Sequence, residues 1–222
     1  MLTNYYWNMA IAESLYFSLA VVEILLRNTI HRTLSMHFGK SDWYDGPGLL
    51  EAKQLADVEQ AKTHIRSRNK TVTPERVVSN LTFGFWVTIP SANYNDRFWR
   101  ANNAANIKSA FPYALGKDRR RKTIMNKFYR VNNLRNLAFH YEPIFDLPSL
   151  PDDHRRGYDG IAWINPDMVE TTRFFDRFPR VHRDGRAEVR AALKRYLGIP
   201  DPKPKIVSTI PVPRRGRRFP SG

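Results

Sequence analysis

Between Leu15 and Leu26 the chain is apolar except at Ser18 and Glu23. A membrane span needs about 20 predominantly apolar residues, so this run reads as too short for one. Wound as a helix, it is apolar on most sides through Leu15, Phe17, Leu19, Val21, Val22, Ile24, Leu25 and Leu26. Such a helix has no face for water and must be surrounded by others. The segment therefore predicts a central helix from about Asn8 to His37, stopping before Gly39. Elsewhere strand-like alternation is scarce and apolar residues recur every three or four positions, so the class is all-α with six to eight helices.

Local signals divide the remainder. A second helix is expected from about Pro47 to Ser67. Thr73-Pro74-Glu75 reads as an N-cap with proline in the first turn, opening a short helix through Val77, Val78 and Leu81. Phe83-Gly84-Phe85-Trp86 reads as a kink used for packing. Further helices are expected over Asp96 to Ala110, Asp118 to about His140, Asp152 to Ile164, Pro166 to Phe178 and Arg186 to Leu197. The helix ending near His140 must stop by Glu142, because Pro143 restricts its predecessor and has no N–H to donate. Residues 1–198 are expected to form one helical domain. Residues 199–222, with six prolines and six Lys/Arg against one Asp, read as a disordered basic tail.

Charge and missing residue types narrow the chemistry. The 222 residues contain no cysteine, which excludes disulfides, thiolate metal sites and cysteine nucleophiles. The formal net charge is +15, of which the tail carries +5 and the body +10. That balance implies a polyanionic partner, with nucleic acid ahead of a membrane surface. The start of the chain, MLTNYYWN, lacks the basic region and cleavage site of a signal peptide, so a soluble cytoplasmic protein is expected. His31, His37, His64, His154 and His182 follow no ligand spacing, and Asp152-Asp153-His154 reads as a helix start, so neither metal nor cofactor is expected. No Gly-rich phosphate loop or nucleophile elbow is present.

The helix that ends at His140 is the place where chemistry is legible. On a wheel, Ile124, Phe128, Val131, Ala138 and Phe139 share one arc, and Arg135 falls inside it. A guanidinium on an apolar stripe must be paired or must face a cavity. Either Glu23 of the first helix holds it, or it serves a site. Tyr129, Asn132, Asn136 and His140 form a second stripe beside the first, with Asn136 and His140 one turn apart. His140 is either a capping cation or a proton carrier. Together these are groups that phosphodiester chemistry needs: an imidazole that moves a proton, a guanidinium that binds phosphate and an amide that orients either. The run Lys117, Arg119, Arg120, Arg121 and Lys122 is a solvated face or tracks an RNA backbone, with Tyr113, Phe128 and Tyr129 nearby for stacking.

Arg135-Asn136-Leu137-Ala138-Phe139-His140 matches the R-N-x-x-x-H form of the R-x4-6-H motif of HEPN domains. The continuation Tyr141-Glu142-Pro143-Ile144-Phe145 resembles the Abi-like (abortive infection) branch. Tyr6-Trp7-Asn8, Glu23-Ile24-Leu25-Leu26-Arg27-Asn28, the Gly39 to Trp43 turn, Leu81-Thr82-Phe83-Gly84-Phe85-Trp86 and Ile161-Ala162-Trp163-Ile164-Asn165-Pro166 follow in the order that family shows. The resemblance, over about Tyr6 to Phe178, implies a HEPN-like helical bundle with additional helices. It implies a homodimer that brings two motifs into one cleft for metal-independent RNA cleavage, in antiphage abortive infection or as a toxin. It places His140 as acid/base, Arg135 as phosphate clamp and Asn136 as orienting residue, with Glu23, Arg27 and Asn28 as a polar shell behind them. A regulatory RNA or an antitoxin protein is a further partner it suggests. The alternative is a non-catalytic RNA-binding protein whose basic body and tail hold a structured RNA.

Overall fold

The computed structural model describes residues 2–100 and 104–199. Among them there are nine α-helices and no strand, so the fold is all-α. The helices are α1 (Leu2–Phe38), α2 (Ala52–Ser67), α3 (Pro74–Asn80), α4 (Phe83–Thr88), α5 (Ala104–Ala110), α6 (Arg121–Phe139), α7 (Leu150–Ile164), α8 (Asp167–Phe175) and α9 (Phe178–Tyr196). All but Ile199 of the expected basic tail lies outside the described residues.

At 37 residues, α1 is about 55 Å long, and α4 through α9 all pack against it. The apolar character extends further than the run from Leu15 to Leu26 suggests. An 18-residue window reaches a mean hydropathy of 1.8, enough by length and composition to cross a membrane. Of that window 44% is buried in the fold. Ile11, Leu15, Leu19, Val22, Leu26, Ile30 and Leu34 form the buried seam of α1, at the three- and four-residue spacing of one helix face. Large aromatic side chains close the core around it. Trp43, Trp86, Tyr94, Phe98 and Phe128 are fully buried, each burial contributing on the order of 2–3 kcal/mol.

Several boundaries differ from expectation, each for a local reason. The chain is helical from Leu2, ahead of the expected start at Asn8, and ends with Gly39 in the left-handed region at φ 68°, as a helix stop requires. Helix α2 begins at Ala52 rather than Pro47, because Gly48 turns the chain at φ 68° first. The expected kink at Phe83 to Trp86 is instead the short helix α4. The Thr82 hydroxyl caps it by accepting from Phe85 N–H at 3.3 Å, and Phe83, Phe85 and Trp86 pack inward. Thr73 caps α3 as anticipated, accepting from Arg76 N–H at 3.4 Å. The single helix expected over Asp96 to Ala110 is divided. Asn95–Trp99 is one π-helical turn that ends at Arg100 in extended backbone, and α5 follows from Ala104. Extended backbone at Arg120 likewise separates the 3-10 turn Gly116–Arg119 from α6. Helix α8 ends at Phe175, and α9 is two helical segments joined at non-helical Gly185 (φ 63°), the first from Phe178 and the second from the expected start at Arg186.

Helix α6, which carries the motif, lies on α1 and is backed by α7. The approach of α6 to α7 depends on Gly160. A Cβ there would meet Cε1 of buried Phe128 at 2.9 Å, and Phe128 is itself wedged against Phe111 at 5.7 Å between ring centroids. Gly160→Ala is therefore expected to cost about 1–3 kcal/mol through overpacking. Urea unfolding checks this: the midpoint should fall with an unchanged slope, and an unchanged midpoint would show that α7 moves aside freely.

Candidate functional site

The buried side of α6 is Ile124, Phe128, Val131, Leu134 and Ala138. Arg135 sits at the rim of that side, its side chain 30% exposed. The carboxylate of Glu23 on α1 approaches Arg135 Nε at 3.6 Å, so the pair suggested by the wheel does form. It is a loose one. Arg135 Nε is buried and makes no hydrogen bond, and Nη1 reaches Asn136 Oδ1 only at 3.5 Å. A closed Arg–carboxylate fork has two bonds near 2.7–2.9 Å. The guanidinium also lies over the Phe139 ring, 4.9 Å from its centroid, a contact that orients the plane without using an N–H. Arg135 thus leaves most of its donors uncommitted.

His140 is the C-cap of α6, with its N–H bonded to Asn136 C=O at 2.9 Å. Tyr141 follows in left-handed backbone at φ 61°, and Glu142 N–H returns to Leu137 C=O at 3.0 Å. This is a Schellman stop, with tyrosine where glycine is usual. Among the described residues the His140 ring has no partner. Five positions on a helix amount to about 140° around the axis and about 7.5 Å along it. One copy of the chain therefore presents Arg135 and His140 on different sides of the helix end.

The segment after the motif is pinned by a residue whose role the sequence did not disclose. Asn8 of α1 accepts from Ile144 N–H at 2.7 Å and from Phe145 N–H at 3.2 Å, and donates to Glu142 C=O at 3.0 Å. Trp7 beside it packs on Phe145 at 5.7 Å. Trp7 and Asn8 thus clamp the chain leaving α6. A groove of about 380 Å³ opens between α1 and the end of α6, walled by Met9, Glu13, Tyr16, Phe139 and Tyr141. Tyr16 meets Phe139 at 5.6 Å.

The other expected residues are dispersed. Arg27 forms no i,i+4 pair with Glu23, because Glu23 is turned to Arg135. Its Nε donates instead to Asn28 Oδ1 at 3.2 Å, and Asn28 faces a separate pocket on another side of α1. Of the basic run, Arg119 donates to Ala114 C=O at 2.7 Å and Pro112 C=O at 3.3 Å, and Arg121 to Pro90 C=O at 2.9 Å. Those two brace loops. Lys117, Arg120 and Lys122 are exposed, as is Tyr129 on α6. Phe128 is fully buried and cannot stack on a base.

The remaining histidines are put to structural use where the structure gives them partners. His31 Nδ1 accepts from Trp43 Nε1 at 3.2 Å, and burial pushes its pKa down. Asp152 and Asp153 pair with Arg155 and Arg156 along α7. His154 Nε2 and Tyr158 Oη both lie 2.7 Å from Asp176 Oδ2, and Asp176 Oδ1 accepts from Phe178 N–H at 2.9 Å. This cluster locks the α8–α9 corner to α7. Among the described residues no three His, Asp or Glu side chains converge as metal ligands. Comparison with protein-family models, curated proteins and solved structures finds no match to this chain.

Proposed function

We propose that the chain is a HEPN-type endoribonuclease that cleaves RNA without a metal, acting in the cytoplasm as an antiphage abortive-infection effector or a toxin. The observation that carries this reading is the unspent guanidinium of Arg135, held at the rim of α6 five residues before a helix-terminal histidine. Guanidinium planes bind phosphate oxygens through paired donors, and imidazole is the side chain most often used to move protons. In the reaction a 2′-hydroxyl loses its proton to a base and attacks the adjacent phosphorus. The bond to the 5′-oxygen breaks as that oxygen takes up a proton, leaving a cyclic phosphate and a 5′-hydroxyl. His140 carries protons in these steps, Arg135 neutralises the charge that grows on phosphorus, and Asn136 steadies Arg135.

A homodimer belongs to this proposal on two grounds. One copy does not bring Arg135 and His140 to the same side. In addition, Leu2, Tyr5, Met9, Tyr16 and Ile24 are exposed at helical spacing along α1, beside exposed Tyr141, Phe174 and Phe175. An apolar patch of that extent marks an interaction face.

The test is incubation of purified protein with mixed cellular RNA in EDTA, with mapping of the cleaved ends and sedimentation of the same sample. The expected result is cyclic phosphate and 5′-hydroxyl ends, from a species of twice the 25.9 kDa chain mass. RNA that shifts on a gel but stays intact would replace the nuclease with the RNA-binding reading.

A further inference from the structure

Two segments singled out in the sequence, Arg27-Asn28 and Ile164-Asn165-Pro166, have no part in the motif groove, yet they meet elsewhere. Asn28 and Asn165 line one pocket of about 430 Å³ between α1, the start of α8 and the loop after α5. Arg32 and Tyr113 complete its polar wall, and Leu25 and Ile164 its apolar one.

The pocket is held in shape by bonds that leave its donors unused. Tyr113 N–H is bonded to Trp163 C=O at 3.1 Å, Pro112 C=O accepts from Arg119, and Thr29 Oγ1 is spent on Ala110 C=O at 2.7 Å. The loop is therefore fixed while the Tyr113 ring stays 56% exposed. Asn28 Oδ1 accepts from Arg27 and Asn165 Oδ1 from Asp167 N–H at 3.1 Å. With both amide oxygens occupied, each side chain has its NH2 left to give. Arg32 makes no ion pair or hydrogen bond among the described residues. The pocket thus offers a guanidinium, two amide NH2 groups, an exposed aromatic face and one carboxylate, Asp167.

We propose that this pocket binds one nucleotide of a single-stranded RNA, away from Arg135 and His140. The base stacks on Tyr113, the NH2 groups of Asn28 and Asn165 donate to base carbonyls, and Arg32 holds the phosphate. Asp167 accepts from a base N–H or a ribose hydroxyl and repels a second phosphate. A single strand supplies what this set requires, because its bases are splayed, stackable and free on their edges. Glu23, beside Arg135, and Asn28 lie five residues apart on α1, about 7.5 Å along its axis. Those five residues also turn about 140° around the axis, so a strand with a phosphate at Arg135 must pass around α1 to reach this pocket. The inference rests on the RNA-cleaving reading for the polymer's identity, but not for the pocket's chemistry.

The experiment is fluorescence anisotropy of a labelled single-stranded oligoribonucleotide of mixed sequence against the His140→Ala protein, with Tyr113→Ala, Arg32→Ala, Asn165→Ala or Lys70→Ala added. Lys70→Ala removes one charge from the distant α2–α3 loop. Tyr113→Ala and Arg32→Ala should raise Kd about tenfold, Tyr113→Phe should restore it, and photocrosslinking should map to the Tyr113 peptide. If Tyr113→Ala and Arg32→Ala bind within twofold of Lys70→Ala, the pocket is no subsite. In that case weakening by Arg135→Ala alone would leave the nuclease reading standing. Conversely, weakening by the pocket variants of a protein that cleaves nothing would uphold the pocket and remove the nuclease. Nucleoside 5′-monophosphates are the competing arm: displacement of the oligonucleotide at equal affinity would assign the pocket to free nucleotides and overturn the strand.

Discussion

If the chain cleaves RNA as proposed, His140→Ala is expected to abolish cleavage and to leave folding and RNA affinity intact. The ring has no partner among the described residues, and only the backbone of His140 takes part in the α6 cap, so truncating the side chain removes no structural contact. Loss of a positioned proton carrier lowers rate by about 10²–10⁴, enough to take a slow nuclease below detection. Arg135→Ala should act differently. On the proposed reading it removes a phosphate ligand and leaves the 24% exposed Glu23 carboxylate without its cation, so both cleavage and binding should fall. Arg135→Lys keeps the charge but loses the paired donors, and should restore binding more than cleavage. Single-turnover cleavage beside anisotropy titration separates these outcomes. A His140→Ala protein that cleaves at the parent rate would remove His140 from the chemistry.

Asp176→Asn has the largest expected effect on stability. The carboxylate side chain is 1% exposed and receives three hydrogen bonds, from His154, Tyr158 and the Phe178 N–H. Removing the charge from such a buried cluster costs about 3 kcal/mol. Burial alone would raise the Asp176 pKa, but the bonds from His154 and Tyr158 outweigh it and hold the carboxyl below its ordinary value. Burial and the bond to Asp176 push the Tyr158 hydroxyl up, so it remains a donor. A carboxyl with a depressed folded-state pKa contributes stability that is complete above its unfolded value, about 3.9, and is lost as pH falls through the folded value. The gap between wild type and Asp176→Asn in urea unfolding should thus be full at pH 7 and close progressively below about pH 4. A gap of the same size at pH 7 and pH 3 would show that the charge is not what stabilises the corner.

How much was legible can be followed residue by residue. The α6 wheel put Arg135 near the apolar side and offered Glu23 as one candidate partner, and the structure places Arg135 at the rim of that side with the Glu23 carboxylate 3.6 Å from its Nε. The same reasoning offered Phe128 for base stacking, but a wheel cannot say which apolar residue is covered and which stays open. Phe128 is covered by α7 at Gly160. The basic run was legible as charge, yet Arg119 and Arg121 serve nearby carbonyls. Carbonyl direction depends on turns that side-chain pattern does not encode. Asp176 gave no signal, since its partner His154 lies 22 residues away across a corner.

The amino-acid sequence by itself determined the helical class, the central place of α1, the stop at His140 and the net positive charge, since each follows from local spacing, proline and glycine chemistry or composition. Only the tertiary structure decided that Asn8 clamps the chain beyond the motif, that Glu23 turns to Arg135 instead of Arg27, and that Asn28 and Asn165 share a pocket. Those outcomes depend on which helix faces meet, and that is settled by packing between segments up to 137 residues apart, beyond the reach of any local pattern.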